Sequence, residues 1–374
     1  MDPEKKYPIL SSLLRPFCKR HRKTLALVVA AITATGQARS FAVATTMAMW
    51  LGTRLDSAIN RFYRLLGNRH IDDTELVWTL ADLLCPKPSR HLLIAVDWTE
   101  WHHGLRMLAA AVVTGKRGIP LFVQAFRQRI WRRSQNSREN TFLRLLAEAL
   151  RRAQVKGTIL CDRGFRRVSW IQLLQELGLG FTVRLMSDVL VEIEPGQQVA
   201  LADILLTQGE LVDLGVVPLR SDGKASARVI GYWAPGAREP WWLATSETGP
   251  ASHALKLYDR RMTVEEHFRD TKGCRFGVKL FWTQFRDPEA LARFVMLLAI
   301  AILCWTLAGI AAARRNPSLR LRSRKKGPRQ SFVTIGLRIL ASGVLYLRFT
   351  EAAVARLLEL PTLRRVEGAA VGGK

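Results

Sequence analysis

The sequence predicts an α/β protein: a mixed-sheet core interrupted by a β-rich insertion and flanked by N-terminal and C-terminal helical segments. Three observations predict it. Up to residue 88 apolar positions recur at helical spacing; from His91 they contract into short β-type runs between turns; and from Phe294 they merge into one long apolar stretch. The implied segments are 1–88, helical; 89–188, first part of the core; 189–239, the insertion; 240–313, second part of the core; and 314–374, a basic linker with C-terminal helices.

In chain order, Phe41–Trp50 and Leu55–Leu66 are amphipathic runs joined at Leu51-Gly52-Thr53, the spacing of a helix-turn-helix. On the second run Ser57, Asn60, Arg61 and Arg64 fall on one face, and all four hydrogen-bond phosphates or base edges readily. HLLIAV (91–96) predicts a central strand ending at Asp97, and 106–114 and 119–125 predict two more. An Arg-rich loop (127–138) carrying Arg132 and Arg133 precedes a helix from Glu139 to about Ala153. A fourth strand, 157–161, ends at Asp162; helix 168–177 and strand 181–185 follow. Three strands in meander, then helix, strand, helix and strand, is the order of a ribonuclease H-like sheet. Residues 189–239 are short β-type runs punctuated by Pro and Gly, strand Trp241–Thr245 returns to the core, and one helix spans Leu255–Lys272.

The apolar stretch 294–313 is long enough to cross a bilayer and is followed by Arg314 and Arg315. A helix apolar on every side also suits the centre of a large soluble core, and that reading is preferred in a chain this basic. The 57 Lys+Arg against 31 Asp+Glu leave a formal charge of +26, which makes a polyanion, nucleic acid, the natural partner. Five scattered cysteines form no zinc spacing or disulfide frame, and the polar N-terminus has no apolar leader, so a cytoplasmic protein is expected.

Asp97 and Asp162 both follow apolar strands; if those strands are neighbours, the two carboxylates emerge at one sheet edge. Two anions so close favour a cation between them, and incomplete oxygen ligation selects Mg²⁺ or Mn²⁺. On a continuous helix Tyr258, Arg261, Glu265 and Lys272 share a sector of about 60°, which puts one acid among two cations and a phenol.

Tyr258-x2-Arg261-x3-Glu265-x6-Lys272 resembles the Tyr-Arg-Glu-Lys signature of the DDE insertion-sequence transposases that move by cut and paste. AVDWTEW (95–101) and LCDRGF (160–165) resemble that family's two aspartate motifs. The resemblance covers roughly 90–310 and implies that Asp97, Asp162 and Glu265 bind catalytic Mg²⁺, with Mn²⁺ able to substitute. It implies that Tyr258, Arg261 and Lys272 meet phosphates of double-stranded DNA at the terminal inverted repeats. It further implies a hairpin intermediate, strand transfer to target DNA, a homodimer on paired ends, and a cytoplasmic, nucleoid-associated location without membrane attachment. A base flipped during hairpin formation would stack on Trp241 or Trp242; the doublet leaves both open. Arg163 is a phosphate contact or a local counter-charge, and Arg132 and Arg133 belong to either a DNA grip or a solvated loop. The rival reading is a domesticated, inactive DNA-binding protein derived from a transposase.

Overall fold

The computed structural model describes residues 10, 14–85, 90–114, 117–128, 135–265, 280, 283–320 and 331–341. Among the described residues four helices precede the sheet: α1 (Lys19–Thr35), α2 (Ser40–Leu51), α3 (Leu55–Leu66) and α4 (Thr74–Leu84). The turn expected between α2 and α3 is made by Gly52 in the left-handed region (φ 62°), its amide returning to the Ala48 carbonyl. Helix α3 buries Ala58, Phe62, Leu65 and Leu66 and leaves Ser57, Asn60, Arg61 and Arg64 exposed.

Strands β1 (His91–Glu100), β2 (Leu105–Thr114) and β3 (Arg117–Arg127) form the meander; helix α5 (Gln135–Arg152) leads to β4 (Lys156–Cys161), and α6 (Val168–Glu176) to β5 (Gly180–Leu185). The insertion supplies β6 (Leu190–Glu194), β7 (Gln197–Ala200), β8 (Leu211–Arg220) and β9 (Lys224–Tyr232), and β10 (Trp241–Thr245) follows. All ten belong to one sheet, ordered β3-β2-β1-β4-β5-β10-β9-β8-β6-β7. The insertion therefore extends the core sheet: β10 pairs antiparallel with both β5 and β9. The first five strands have the ribonuclease H-like order, with β1, β4 and β5 mutually parallel.

Two sequence expectations are corrected. Strand β1 does not end at Asp97 but runs to Glu100, because antiparallel pairing with β2 continues through Glu100↔Arg106 after the parallel pairing with β4 stops at Val96↔Cys161. The single helix expected over Leu255–Lys272 is broken: α7 (Ala251–Asp259) gives way to a 3₁₀ turn at Arg260–Met262 before helix resumes at Thr263, and 266–279 lie outside the described residues.

The apolar stretch becomes α8 (Pro288–Arg315), started by Asp287, whose carboxylate accepts from the Ala290 amide. It is long and apolar enough to cross a membrane, yet it lies buried against β3, α1, α3 and α9 (Phe332–Ala341), as the core reading expected. Helices α8 and α9 cross where each carries a glycine: a Cβ at Gly309 would overlap the Phe332 carbonyl, and one at Gly336 the Trp305 carbonyl.

The N-terminal helices are fastened to the core by Arg293 of α8. Its buried guanidinium pairs with Asp73 (2.8 Å) and donates to the carbonyls of Leu65, Leu66 and Ile71, closing the end of α3. Desolvation nonetheless raises the Asp73 pKa. Arg293→Ala takes the guanidinium from the Asp73 carboxylate and from the Leu66 and Ile71 carbonyls, while the Leu65 carbonyl keeps the Asn68 amide; it should cost about 3–5 kcal/mol in denaturant unfolding. Arg293→Lys should recover only part of this, since an ammonium does not span the same acceptors.

Candidate functional site

Because β1 and β4 are parallel and end their pairing at Val96↔Cys161, Asp97 and Asp162 occupy the next register position, side by side at one sheet edge. Alternation fixes their direction. Ala95 and Leu160, two residues earlier on each strand, belong to one small apolar cluster with Ala111, Val113 and Val264; Val96 and Cys161 belong to the main core on the other face. Both aspartates thus leave the sheet on the Val264 face. The Asp97 carboxylate accepts from the Trp98 amide (2.8 Å), and that of Asp162 from Gly164 (2.8 Å), which caps the 3₁₀ turn Arg163–Phe165. Burial first, and the neighbouring Asp162 second, push the Asp97 pKa up to about 6, against the pull of Arg261.

Glu265 reaches this edge through packing. The small side chains Ala95 and Ala111 leave room for Val264 and Leu257, so the chain after α7 settles onto the sheet face that carries the aspartates, and Glu265 is the next residue. Between Asp97 and Glu265 lies Arg261, buried, with Nη1 3.5 Å from Asp97 Oδ2 and Nη2 3.1 Å from Glu265 Oε1. Its Nε is buried without an acceptor among the described residues. The 3₁₀ turn sets this arrangement: Arg261 points into the carboxylates where an unbroken wheel would run it along one outer stripe with Tyr258 and Lys272. Lys272 lies outside the described residues.

Tyr258 is buried, its ring edge-on to Trp241 (5.4 Å between centroids), with the Arg261 guanidinium 5.9 Å from its own centroid and that of Arg184 5.5 Å from the Trp241 ring. A ladder of cation, indole, phenol and cation therefore leads from β5 to the carboxylates. The tryptophan doublet divides by face: Trp241 is half-buried beside this ladder, whereas Trp242 is 2% exposed in the core. Its place as a DNA contact is thereby corrected, since its ring presents no surface. Arg163 is exposed and pairs with Glu239 (3.0 Å), which also takes Arg184 (2.7 Å). Arg61 of the exposed α3 face donates to Thr24 (3.2 Å). Arg132 and Arg133 lie outside the described residues.

Sequence reasoning missed a buried polar residue behind the site. Glu139, 1% exposed, accepts from Trp98 Nε1 (2.9 Å), Gln135 Nε2 (2.7 Å) and Arg167 Nη2 (2.7 Å). A signal existed: Glu139 shares the helical stripe of Phe142, Leu143 and Leu146, an acid where the period calls for an apolar residue.

As donors, three carboxylates suit a hard divalent cation, and the raised Asp97 pKa is a cost that such a cation would relieve. Among the described residues no three carboxylate, histidine or cysteine side chains converge closely enough to cage one ion as they stand; the positive charge among them belongs to Arg261.

The family described as transposase DDE domain matches residues 88–304, from just before β1 into α8. No curated protein matches the chain at a significant level.

Proposed function

The chain belongs to the transposase DDE domain family, and from that premise we propose that Asp97, Asp162 and Glu265 are the residues with which it cleaves transposon ends and joins them to target DNA. The family implies action on DNA as a nuclease and strand transferase. The observation that carries the residue assignment is the register: the aspartates leave adjacent parallel strands on one face, and Val264 packs on that same face directly before Glu265.

In this reading the three carboxylates hold divalent metal, Mg²⁺ or Mn²⁺, which when bound would activate the attacking oxygen and stabilise the leaving one. The chain's own groups do the rest. Arg261 exchanges its carboxylate partners for a phosphate, whose two oxygens accept bidentately from a guanidinium with a spare buried N–H. Tyr258 holds the Arg261 guanidinium and the Trp241 ring at fixed spacing. Trp241 offers a partly open aromatic edge to a flipped base during hairpin formation. The exposed polar stripe of α3 and the net charge of +26 favour a long basic footprint on double-stranded DNA, read by a homodimer on two paired ends.

Incubation of the protein with DNA bearing its element's own ends and Mg²⁺ tests this. Flanks closed as hairpins are expected, and Trp241→Ala should lose them about ten- to a hundredfold while still nicking. Open flanks only, with no hairpin and no joined product, would reduce the activity to simple nuclease action.

A further inference from the structure

Strand β1 carries Asp97 on one face of the sheet and Trp98 on the other. The two residues are joined twice, through the chain and through the Trp98 amide that donates to the Asp97 carboxylate. The Trp98 indole is in turn fixed beneath the sheet by Glu139 Oε1 (2.9 Å). The other oxygen of Glu139 takes Arg167 (2.7 Å), which ends the loop that starts at Asp162. Arg167 Nη1 reaches Ser169 Oγ (3.2 Å), and Asp222, from the β8–β9 turn of the insertion, accepts from Ser169 Oγ and from the Val168 amide (2.8 Å). One buried carboxylate thus ties the strand of the first aspartate to the loop of the second, and through Arg167 to the insertion.

We infer that Glu139 is a positioning residue that sets the spacing between Asp97 and Asp162 from the far side of the sheet. Burial of an acid here is costly unless it is paired and hydrogen-bonded, and Glu139 has one cation and two neutral donors. A purely packing role would be served by the leucine or phenylalanine that the rest of the α5 stripe supplies. What an apolar residue does not do is couple Trp98 to Arg167. Misplacement of reacting groups by about 1 Å costs on the order of a hundredfold in rate, so the coupling acts on turnover and not on DNA affinity. The inference rests on Asp97 and Asp162 being catalytic.

The test is nicking of supercoiled plasmid in Mn²⁺ by the full chain, with kcat and KM for DNA measured well below each variant's melting temperature. Glu139→Gln keeps an acceptor for Trp98 but turns an amide against Arg167, and Trp98→Phe removes the indole donor together with part of the ring that meets Arg106 and Phe126. Each should lower kcat about ten- to a hundredfold with KM within about twofold of wild type. The double variant should be no slower than Glu139→Gln alone, because both cut one chain of contacts. The Trp98 indole N–H, identified in ¹⁵N spectra by its loss in Trp98→Phe, should exchange with solvent faster in Glu139→Gln. Wild-type kcat in Glu139→Gln beside an inactive Asp97→Asn overturns the inference and leaves the catalytic assignment standing. Full activity in Asp97→Asn overturns that assignment instead.

Discussion

Asp97→Asn, Asp162→Asn and Glu265→Gln should each reduce end cleavage by on the order of a thousandfold or more, with end binding within a few-fold of wild type. The exposed basic stripe of α3 carries binding in this reading, and it lies on a different element from all three carboxylates. A gel shift beside a cleavage assay separates the two quantities, and a variant that cuts at the wild-type rate removes its residue from the centre. Asp97→Asn carries a second, independent consequence in metal-free buffer. Burial and Asp162 raise the folded pKa from 3.8 to about 6. Between those values the native state holds a proton that the unfolded chain has released, so stability falls as pH rises through about 4 to 6 and stays lower above. Asparagine is neutral throughout. Asp97→Asn should therefore be more stable than wild type at pH 7–8, by up to about 3 kcal/mol, with the gap closing near pH 4. Asp97 is thus a residue the fold holds at a cost, and thermal melts across pH read that cost directly.

How far the sequence reveals this centre depends on what fixes each part. Both aspartates are legible because a strand buried on both faces must read as an unbroken apolar run, and the first polar residue after HLLIAV or GTILC stands out. The end of β1 is not legible: only its parallel partner stops at Val96, and its continuation to Glu100 depends on the length of β2. The break at Arg260–Met262 has no local signal, since Arg, Arg and Met are ordinary helix formers. It follows from two long-range contacts, Val264 on the small Ala95–Ala111 surface and Arg261 among the carboxylates. Alternation says that one of Trp241 and Trp242 must face inward but not which. The choice is made across the sheet, where Trp242 lies over its partner Gly231, a position at which any Cβ would strike the indole. Segments long in sequence and regular in period were readable, whereas whatever depends on a neighbour far along the chain was not.

Neutralising Arg261 should have the opposite sign on metal affinity from its sign on cleavage. In the metal-free protein its guanidinium bridges Asp97 and Glu265 and so stands where the charge of an ion would otherwise be needed. Arg261→Gln leaves the carboxylates without an internal cation. It should lower metal-free stability by about 2–4 kcal/mol, as expected when one partner of a buried ion pair is removed. The same unopposed carboxylates should bind Mn²⁺ about tenfold more tightly by calorimetry, since about 1.4 kcal/mol of relieved competition is a factor of ten. Saturating Mn²⁺ should then restore much of the lost stability, because the ion binds only the folded chain. Cleavage should still fall about a hundredfold, as the variant has no guanidinium to pass to a phosphate. Weaker Mn²⁺ binding by Arg261→Gln would mean that Arg261 builds the carboxylate cluster instead of competing for it. In that case the ion and the arginine would have to be held together, and the handover from internal cation to metal and phosphate would not occur.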